Sequence, residues 1–190
     1  MKNKESLLAM ATVKYTIGYD DRFVYVSPSW SVFAKENGAP QLADNAVIGR
    51  LIFDFLTGID CKELYRMIFK HCRESNRKLI FPFRCDSPNI KRFMELHIIS
   101  DSQGKLHFEA QLLKVTPRKY NVLLAKCTHR SDRMIKICSW CKLVEISKDH
   151  WVDIDTALEQ HGLFNESDIP KLTHGICPNC YVSFASRYKK

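Results

Sequence analysis

The sequence lacks any apolar run that could cross a membrane, because no window approaches the roughly 18 apolar residues that a spanning helix needs. Low-complexity segments are absent, and the only internal repeat is a pair of Cys-x-x-Cys motifs. A short apolar stretch at residues 7–11 follows Lys2, but Glu5 and Lys14 enclose it too closely for a secretion signal. We therefore expect no membrane insertion, and we interpret residues 1–12 as an N-terminal segment with a short helix.

Motifs of the common enzyme classes are also absent. The sequence has no Gly-rich phosphate loop, no Gly-x-Ser-x-Gly nucleophile turn, no His-Glu-x-x-His metal motif and none of the kinase catalytic elements. Asp20 and Asp21 are adjacent carboxylates, but their position in a predicted turn accounts for them. These absences predict a protein without catalytic residues, and hence not an enzyme.

The composition is that of an ordinary globular protein. The 190 residues are 45% hydrophobic and 26% charged, which predicts one or two small domains. Lys and Arg outnumber Asp and Glu by 29 to 21, and this excess is spread along the chain. The spread favours an ordinary basic surface over a nucleic-acid footprint. Eight cysteines without a secretion signal predict a reducing compartment, and so a cytoplasmic location.

Residues 13–115 alternate in a way that predicts one α+β domain, an antiparallel five-stranded sheet with helices on one face. Ser27 is the predicted N-cap of a first helix. A second helix is predicted from Cys61 to about Asn76, with Asp60 as its N-cap. The predicted strands are residues 13–17, 23–26, 79–85, 94–99 and 106–112.

The remaining residues are predicted to form a linker and a smaller zinc-knuckle domain. Residues 116–133 are polar and basic and indicate a linker. Residues 134–190 hold both Cys-x-x-Cys pairs, and their pattern predicts a helix from about Asp153 to Gln160 and a last helix over Tyr181–Tyr188. A unit of this size is close to the limit at which a hydrophobic core alone suffices, so a bound metal would stabilise it.

The two cysteine pairs indicate a metal site. Cys138 and Cys141 form the first pair, and Cys177 and Cys180 form the second. Each pair can form a tight turn that points two thiolates at one ion, and two such knuckles supply the four sulfurs of tetrahedral zinc. Four protein ligands leave no open coordination position, so we expect a structural zinc rather than a catalytic one.

Other interpretations of the cysteines stay open. A redox-active dithiol pair, or iron bound by four sulfurs, would suit the same spacing. His174 could replace one cysteine as a ligand, with less support for His150. The remaining cysteines have no comparable spacing, and we interpret them as small apolar core residues. They are Cys61, Cys72, Cys85 and Cys127.

Three short motifs of the predicted first domain occur in an order that resembles a known family. Residues 23–28 are Phe-Val-Tyr-Val-Ser-Pro, residues 47–50 are Val-Ile-Gly-Arg, and residues 54–56 are Asp-Phe-Leu. Followed by a longer helix and three strands, they resemble a PAS domain, the ligand-sensing fold common in signalling proteins. The tail, with its Cys-Ser-Trp-Cys and Cys-Pro-Asn-Cys motifs, is similar to the cysteine-rich tails of bacterial signalling proteins.

The resemblance to PAS domains implies a ligand pocket enclosed by the sheet and the second helix. Its lining residues would be Trp30, Phe55, Ile68, Phe83 and Cys85, which would serve equally well as plain core. Light-sensing members have a reactive cysteine after the Gly-Arg motif, and its absence here argues against a flavin. Haem-binding members use a histidine on the long helix. Because His71 lies towards the end of that helix, we expect no haem.

Two classes of function follow. In the first, the chain is a non-enzymatic signalling or regulatory protein whose PAS-like domain senses a ligand and contacts a protein partner, which could be a second copy of the chain. In the second, the chain is a transcriptional regulator whose zinc unit binds DNA under the control of the PAS-like domain. Its phosphate contacts would be Lys136, Lys142, Lys148 and Lys171. Seven acidic residues between Glu145 and Asp168 would repel a DNA backbone, so we favour the first class.

Overall fold

The computed structural model describes residues 12–125, 129–159 and 169–188, which divide into two compact units. The predicted N-terminal helix and Cys127 lie outside these ranges. Of the described residues, the first unit holds those up to Leu56 together with Lys62–Pro82 and Met94–Lys114. The second unit holds Thr57–Cys61, Phe83–Phe93 and the residues from Val115 onward. The second unit is therefore assembled from three separate stretches of chain.

A five-stranded antiparallel sheet has the strand order β2-β1-β5-β4-β3. The strands are β1 (Thr12–Ile17), β2 (Phe23–Val26), β3 (Leu79–Arg84), β4 (Ile90–Ser100) and β5 (Leu106–Pro117). The last strand, β5, pairs with the first strand, β1, and in this register Tyr15 lies opposite Phe108. In the first half of β5, Leu106, Phe108 and Ala110 are buried and alternate with more exposed residues, as expected for a sheet with one face on a core. The predicted five-stranded antiparallel sheet is confirmed.

In the described part of the chain, two α-helices accompany this sheet, α1 (Pro28–Glu36) and α2 (Ile59–Ser75). The first begins where it was predicted, but the Ser27 hydroxyl accepts a hydrogen bond from the N–H of Lys14 instead of capping the helix. The second begins at Ile59, so the prediction that Asp60 is its N-cap is wrong. No helix among the described residues is long and apolar enough to cross a membrane.

Aromatic rings fill the face of the sheet that carries these helices. Tyr15 stacks on Phe108 with ring centroids 4.4 Å apart, and Trp30 of α1 meets the edge of the Tyr15 ring at 5.4 Å. Phe69 of α2 meets Phe108 at 5.7 Å, also edge to face. Offset and edge-to-face ring pairs stabilise a core beyond the area that they bury. Both helices therefore pack on the same sheet face.

Arg73 of α2 ties two turns of the first unit together. Its guanidinium donates to the Asp21 carboxylate at 2.7 Å, to the Gly18 carbonyl at 3.0 Å and to the Gly104 carbonyl at 3.0 Å. Asp21 has a φ of +62°, a left-handed conformation typical of Asp in turns. The Asp20–Asp21 pair is therefore used in a structural turn, as its sequence context predicts.

The second unit contains a four-stranded sheet with the order β8-β7-β6-β9. Its elements are β6 (Ser131–Cys138), β7 (Leu143–Ser147), β8 (His150–Asp153), α3 (Ile154–Glu159), β9 (Pro170–Gly175) and α4 (Pro178–Tyr188). β6 and β9 run parallel, whereas the other neighbours are antiparallel. Leu123, Ile137, Val144 and Ile154 form the buried centre of this unit. The sequence analysis predicted its helices but not this sheet.

The segment predicted as a linker contributes buried side chains to the second unit. Leu123 and Asn121 are fully buried, and the Arg118 side chain is 1% exposed. The Asn121 amide group donates to the Ile154 carbonyl at 3.3 Å and to Asp155 at 2.9 Å, while its oxygen accepts the N–H of Leu123. Because the donor and the acceptor groups of this buried amide are all hydrogen-bonded, Asn121 holds the linker segment in one arrangement against α3.

Candidate metal centre

The four cysteines of the two Cys-x-x-Cys pairs converge in the second unit. The sulfurs of Cys138, Cys141, Cys177 and Cys180 all lie within 4.8 Å of one another, and those of Cys141 and Cys177 are 3.6 Å apart. Cys138 and Cys177 are buried, whereas Cys141 and Cys180 are partly exposed. The predicted set of four cysteines is thus a single cluster that could hold a metal ion.

The first knuckle is the tight connection between β6 and β7. Cys138 is the last residue of β6, and its carbonyl accepts the N–H of Lys142 at 3.1 Å, which closes the turn. Lys142 has a φ of +63°, and this left-handed residue redirects the chain into β7. The Ser139 N–H donates to the Gly175 carbonyl at 2.9 Å. That hydrogen bond holds the first knuckle beside the end of β9, which lies two residues before Cys177 of the second knuckle.

The second knuckle is the start of α4. Cys177 precedes the helix, and its carbonyl accepts the N–H of Tyr181 at 3.0 Å, the first hydrogen bond of the helix. The Cys177 sulfur accepts the N–H of Cys180 at 3.5 Å, as the side chain of an N-cap residue does. Pro178 occupies the first helical position, where a missing N–H is harmless. The helix N-terminus, with its partial positive charge, therefore faces the sulfur cluster.

The distances suit a small tetrahedral ion. Zinc bound to thiolates at about 2.3 Å in a regular tetrahedron requires sulfurs about 3.8 Å apart. The sulfurs of Cys141 and Cys177 are 3.6 Å apart, and no pair of the four is more than 4.8 Å apart, so the separations lie near this value. Four sulfur donors are the set that selects zinc or iron over magnesium or calcium. The residues present therefore fit a metal of that kind.

The electrostatics of the cluster favour a cation. Hydrogen bonds from the Cys141 and Cys180 thiols, and from the N–H groups of Cys141 and Cys177, lower the pKa of Cys138 although burial opposes them. The Cys141 thiol donates a hydrogen bond to the Cys138 sulfur, and this contact raises the pKa of Cys141 to about 12. Contacts with Cys138 and Cys141 also raise the pKa of Cys180. The cluster thus stabilises the thiolate of Cys138 and disfavours ionisation of Cys141 and Cys180. The charge of a divalent cation would offset the repulsion between thiolates and allow those two cysteines to ionise as well.

The two histidines that were considered as ligands lie outside this cluster. His174 lies in β9, and its Nδ1 is buried without a hydrogen-bond partner among the described residues. Burial lowers the pKa of His174, and the charge of Lys142 adds to the effect. His150 is exposed at the start of β8. Neither belongs to the group of four sulfurs.

Among the described residues, the cysteines outside the cluster are buried or partly buried. Cys61 and Cys72 are almost completely inaccessible to solvent. Burial raises the pKa of Cys72 to about 12, and it also raises the pKa of Cys61 and of Cys85. Thiols with raised pKa values stay protonated at neutral pH and are poor nucleophiles.

The five residues predicted to line a ligand pocket fall in two groups. Trp30, Phe55 and Ile68 belong to the first unit, and Phe83 and Cys85 belong to the second. Trp30 and Phe55 both pack against Phe23, at 5.6 and 5.5 Å between ring centroids, and Ile68 is completely buried. Two surface grooves of the first unit, of about 810 and 330 Å³, are lined by other residues. The ligand pocket stays a prediction.

Most of the lysines considered as DNA contacts are engaged within the second unit. Lys136 pairs with Glu145 at 3.5 Å, and Lys171 pairs with Asp132 at 2.7 Å. The Lys142 ammonium donates to the Ser139 carbonyl at 2.8 Å, and burial lowers its pKa. Lys148 is exposed. Lys136 and Lys171 are paired with acidic residues and Lys142 with a backbone carbonyl, which weakens this set as a nucleic-acid surface.

A network of three cations and three carboxylates lies beside the first knuckle. Its members are Arg84, Lys91, Arg118, Asp86, Asp153 and Asp155. The Asp86 side chain is completely buried and pairs with Arg118 at 2.9 Å. Lys91 reaches Asp155 at 2.6 Å. Charges this deeply buried are tolerated because each has a partner, and removing one partner typically costs about 3–5 kcal/mol. No sequence pattern identified the network, because it joins residues 84–91, Arg118 and residues 153–155, which are far apart in the chain.

We expect this network to make the second unit sensitive to acid. Burial raises the pKa of Asp155, but hydrogen bonds from Lys91, Arg118 and Asn121 outweigh it and hold the pKa at about 2. An unfolded Asp titrates at about 3.9. The stabilisation is therefore complete above about pH 4 and is lost as the pH falls through about 2. Urea unfolding of the wild type and of Asp155→Asn, measured from pH 6 to pH 2, tests this.

The quantity to follow is the difference in unfolding free energy between those two proteins, because loss of metal in acid affects both. We expect that difference to be constant from pH 6 to about pH 4 and to shrink below it. A difference that does not change down to pH 2 would show that Asp155 has an ordinary pKa in the folded protein.

No protein-family model and no curated protein matches the sequence. Among solved structures, the chain is similar to the crystal structure of the PAS domain of an HTR-like protein from Haloarcula marismortui, with 16% sequence identity and a TM-score of 0.32. The match covers 60% of this chain and 90% of that chain. A TM-score this low does not establish a shared fold.

Proposed function

We propose that the chain is a non-enzymatic regulatory protein in which one structural zinc ion holds the second unit together and a PAS-like first unit senses a ligand or binds a protein partner. The observation that carries the proposal is the convergence of four cysteine sulfurs within 4.8 Å. Thiolate ligands persist in reducing compartments, so we place the protein in the cytoplasm.

Zinc suits the centre better than the alternatives. It is redox-inert, takes four thiolates in a tetrahedron, and contributes its binding energy to folding. Iron would accept the same donors, and a dithiol pair would need only two of them. Because all four sulfurs approach one point from two separate knuckles, the arrangement supports one shared ion over two independent dithiols.

The sensing role rests on the first unit. Its order of elements, a hairpin, short helices, a long helix and three strands, is the one that the resemblance to PAS domains implies. Val24, Tyr25 and Ile48 are between 41% and 50% exposed beside a groove of about 810 Å³. These exposed apolar side chains beside a groove support contact with a protein partner, which could be a second copy of the chain.

Metal analysis and an absorption spectrum of the purified protein test the proposal. We expect one zinc per chain, and no Soret or flavin band. Replacement of zinc by Co²⁺ should produce the intense sulfur-to-cobalt charge-transfer absorption of a four-thiolate site. Protein purified under reducing conditions that holds no zinc and takes up no Co²⁺ would refute the metal centre. Retention on DNA that falls steeply with salt would instead favour the transcriptional regulator.

A further inference from the structure

Arg84 contacts the first knuckle through both its backbone and its side chain. The Arg84 N–H donates to the Trp140 carbonyl at 2.6 Å, and the guanidinium donates to the Cys141 carbonyl at 3.1 Å. All three residues belong to the second unit. Two consecutive peptide groups of the knuckle therefore have their oxygens held by one residue from a distant part of the sequence.

The opposite sides of those peptide groups face Cys138. In a trans peptide the C=O and the N–H point in opposite directions, so fixing the oxygen also fixes the hydrogen. The Cys141 N–H, in the same peptide as the Trp140 carbonyl, donates to the Cys138 sulfur. The Lys142 N–H, in the same peptide as the Cys141 carbonyl, donates to the Cys138 carbonyl at 3.1 Å. Both bonds shape the turn that presents the first two sulfurs.

Arg84 is itself firmly held. Its guanidinium pairs with Asp86 and, at 2.6 Å, with Asp153, and its side chain is only 11% exposed. A guanidinium is a planar fork whose donors can serve several acceptors at once, which an ammonium on a flexible stem does less well. The side chain that reaches the knuckle is therefore preorganised before any metal binds.

We propose that Arg84 is a positioning residue of the metal centre. By holding the Trp140 and Cys141 carbonyls, it aims the opposing N–H groups at Cys138 and keeps the first knuckle in its metal-binding shape. The inference rests on the proposed metal site and extends it to a residue that is not a ligand. Since coupling between two equilibria is reciprocal, bound metal in turn stabilises the arrangement of residues 83–93 around Arg84.

Zinc affinity of full-length Arg84→Met, measured by competition with a chromogenic chelator, tests the proposal for the side chain. The variant loses the guanidinium contact with the Cys141 carbonyl and keeps the backbone contact with the Trp140 carbonyl. Partners that orient metal ligands from outside the coordination sphere typically contribute about 10- to 100-fold to affinity, and we expect a loss in that range. Arg118→Met is the matched control, because Arg118 lies in the same network and is even less exposed than Arg84, but its guanidinium donates to Asp86 and Asp155 instead of to the knuckle. Both variants should be less stable, but only Arg84→Met should bind zinc more weakly relative to the wild type.

Arg84→Lys keeps the charge beside Asp86 and Asp153 and serves if Arg84→Met does not fold. Its single ammonium replaces the fork, so we expect weaker zinc binding and an altered Co²⁺ spectrum. Wild-type affinity in whichever of these variants folds would overturn the proposal, and so would an equal loss in Arg118→Met. If the wild-type protein itself binds no metal, the proposed function is refuted. That result differs from one in which the wild type and the Arg84 variants bind zinc equally well, which refutes only the role of Arg84.

Discussion

Cys177→Ser is expected to abolish stoichiometric zinc binding and to unfold the second unit. Cys177 is buried, accepts the N–H of Cys180, and is one of four converging sulfurs. Structural zinc contributes about 10–16 kcal/mol of binding energy to small zinc-finger peptides, and that energy is folding energy. The variant binds no zinc and lacks this contribution, so we expect it to lose at least about 3 kcal/mol of stability.

Cys72→Ala is the matched control for this variant. Cys72 is as deeply buried as Cys177 but lies on α2, outside the sulfur cluster. It should lose only about 1–2 kcal/mol, as a small buried residue does, and should retain one zinc per chain. Zinc content by mass spectrometry and urea unfolding followed by tryptophan emission measure both effects. Trp140 is a local probe because it lies within the first knuckle and packs against Phe184.

Chelation provides an independent route to the same state. Excess EDTA should lower the stability of the wild type towards that of Cys177→Ser, and it should leave the variant nearly unchanged. An unfolding free energy of the wild type that is insensitive to EDTA, together with a Cys177→Ser variant as stable as Cys72→Ala, would mean that no metal supports the fold.

Gly58→Ala is expected to be among the most destabilising single-methyl additions in the chain. Gly58 has a φ of +84°, and a Cβ placed on it would lie 1.8 Å from the carbonyl oxygen of His174 and 2.8 Å from its carbonyl carbon. Both atoms are backbone, so no change of rotamer relieves the overlap. Either β9 or the start of α2 would have to move, and overpacking of this kind typically costs about 1–3 kcal/mol.

Gly49→Ala separates the steric effect from backbone strain. Gly49 has a φ of +78°, but a Cβ there would meet nothing within 4 Å. Its replacement should cost only the left-handed penalty of about 1–2 kcal/mol. Gly58→Ala should therefore exceed Gly49→Ala by the overpacking cost, as measured by urea denaturation of the two full-length proteins. Equal losses would indicate that residues 57–59 do not lie against β9.

Local signals explain which parts of the structure could be predicted. The alternation along β5 and the helix start after Ser27 are encoded within a few residues, and both were correct in outline. The four cysteines were found because each knuckle is a four-residue motif. α4 begins three residues earlier than predicted, at Pro178, because Cys177 starts the helix and Cys180 lies in its first turn.

The remaining features depend on residues that are distant in the chain. β6 pairs in parallel with β9, which is distant in the sequence, and β8 is only four residues long. These strands therefore have no alternation of apolar and polar residues that stands out in the sequence. Arg84 and Arg118 have no distinguishing pattern in the sequence. Asp86 is only two residues from Arg84, but Asp153 is 69 residues from Arg84 and Asp155 is 37 residues from Arg118, so no local pattern connects them. Asp60 has the sequence of an N-cap, but the positive φ of Gly58 lets the helix begin at Ile59.

The three-part construction of the second unit has a consequence for how such a protein can evolve. A recombination event that moved residues 134–190 alone to a new host would transfer all four sulfurs but leave behind Arg84, Arg118 and Gly58, which lie against the transferred strands and turns. The recipient would gain the four cysteine sulfurs but not the residues of the second unit that hold them in position. We therefore expect the two parts of this chain to be inherited together and to change in concert.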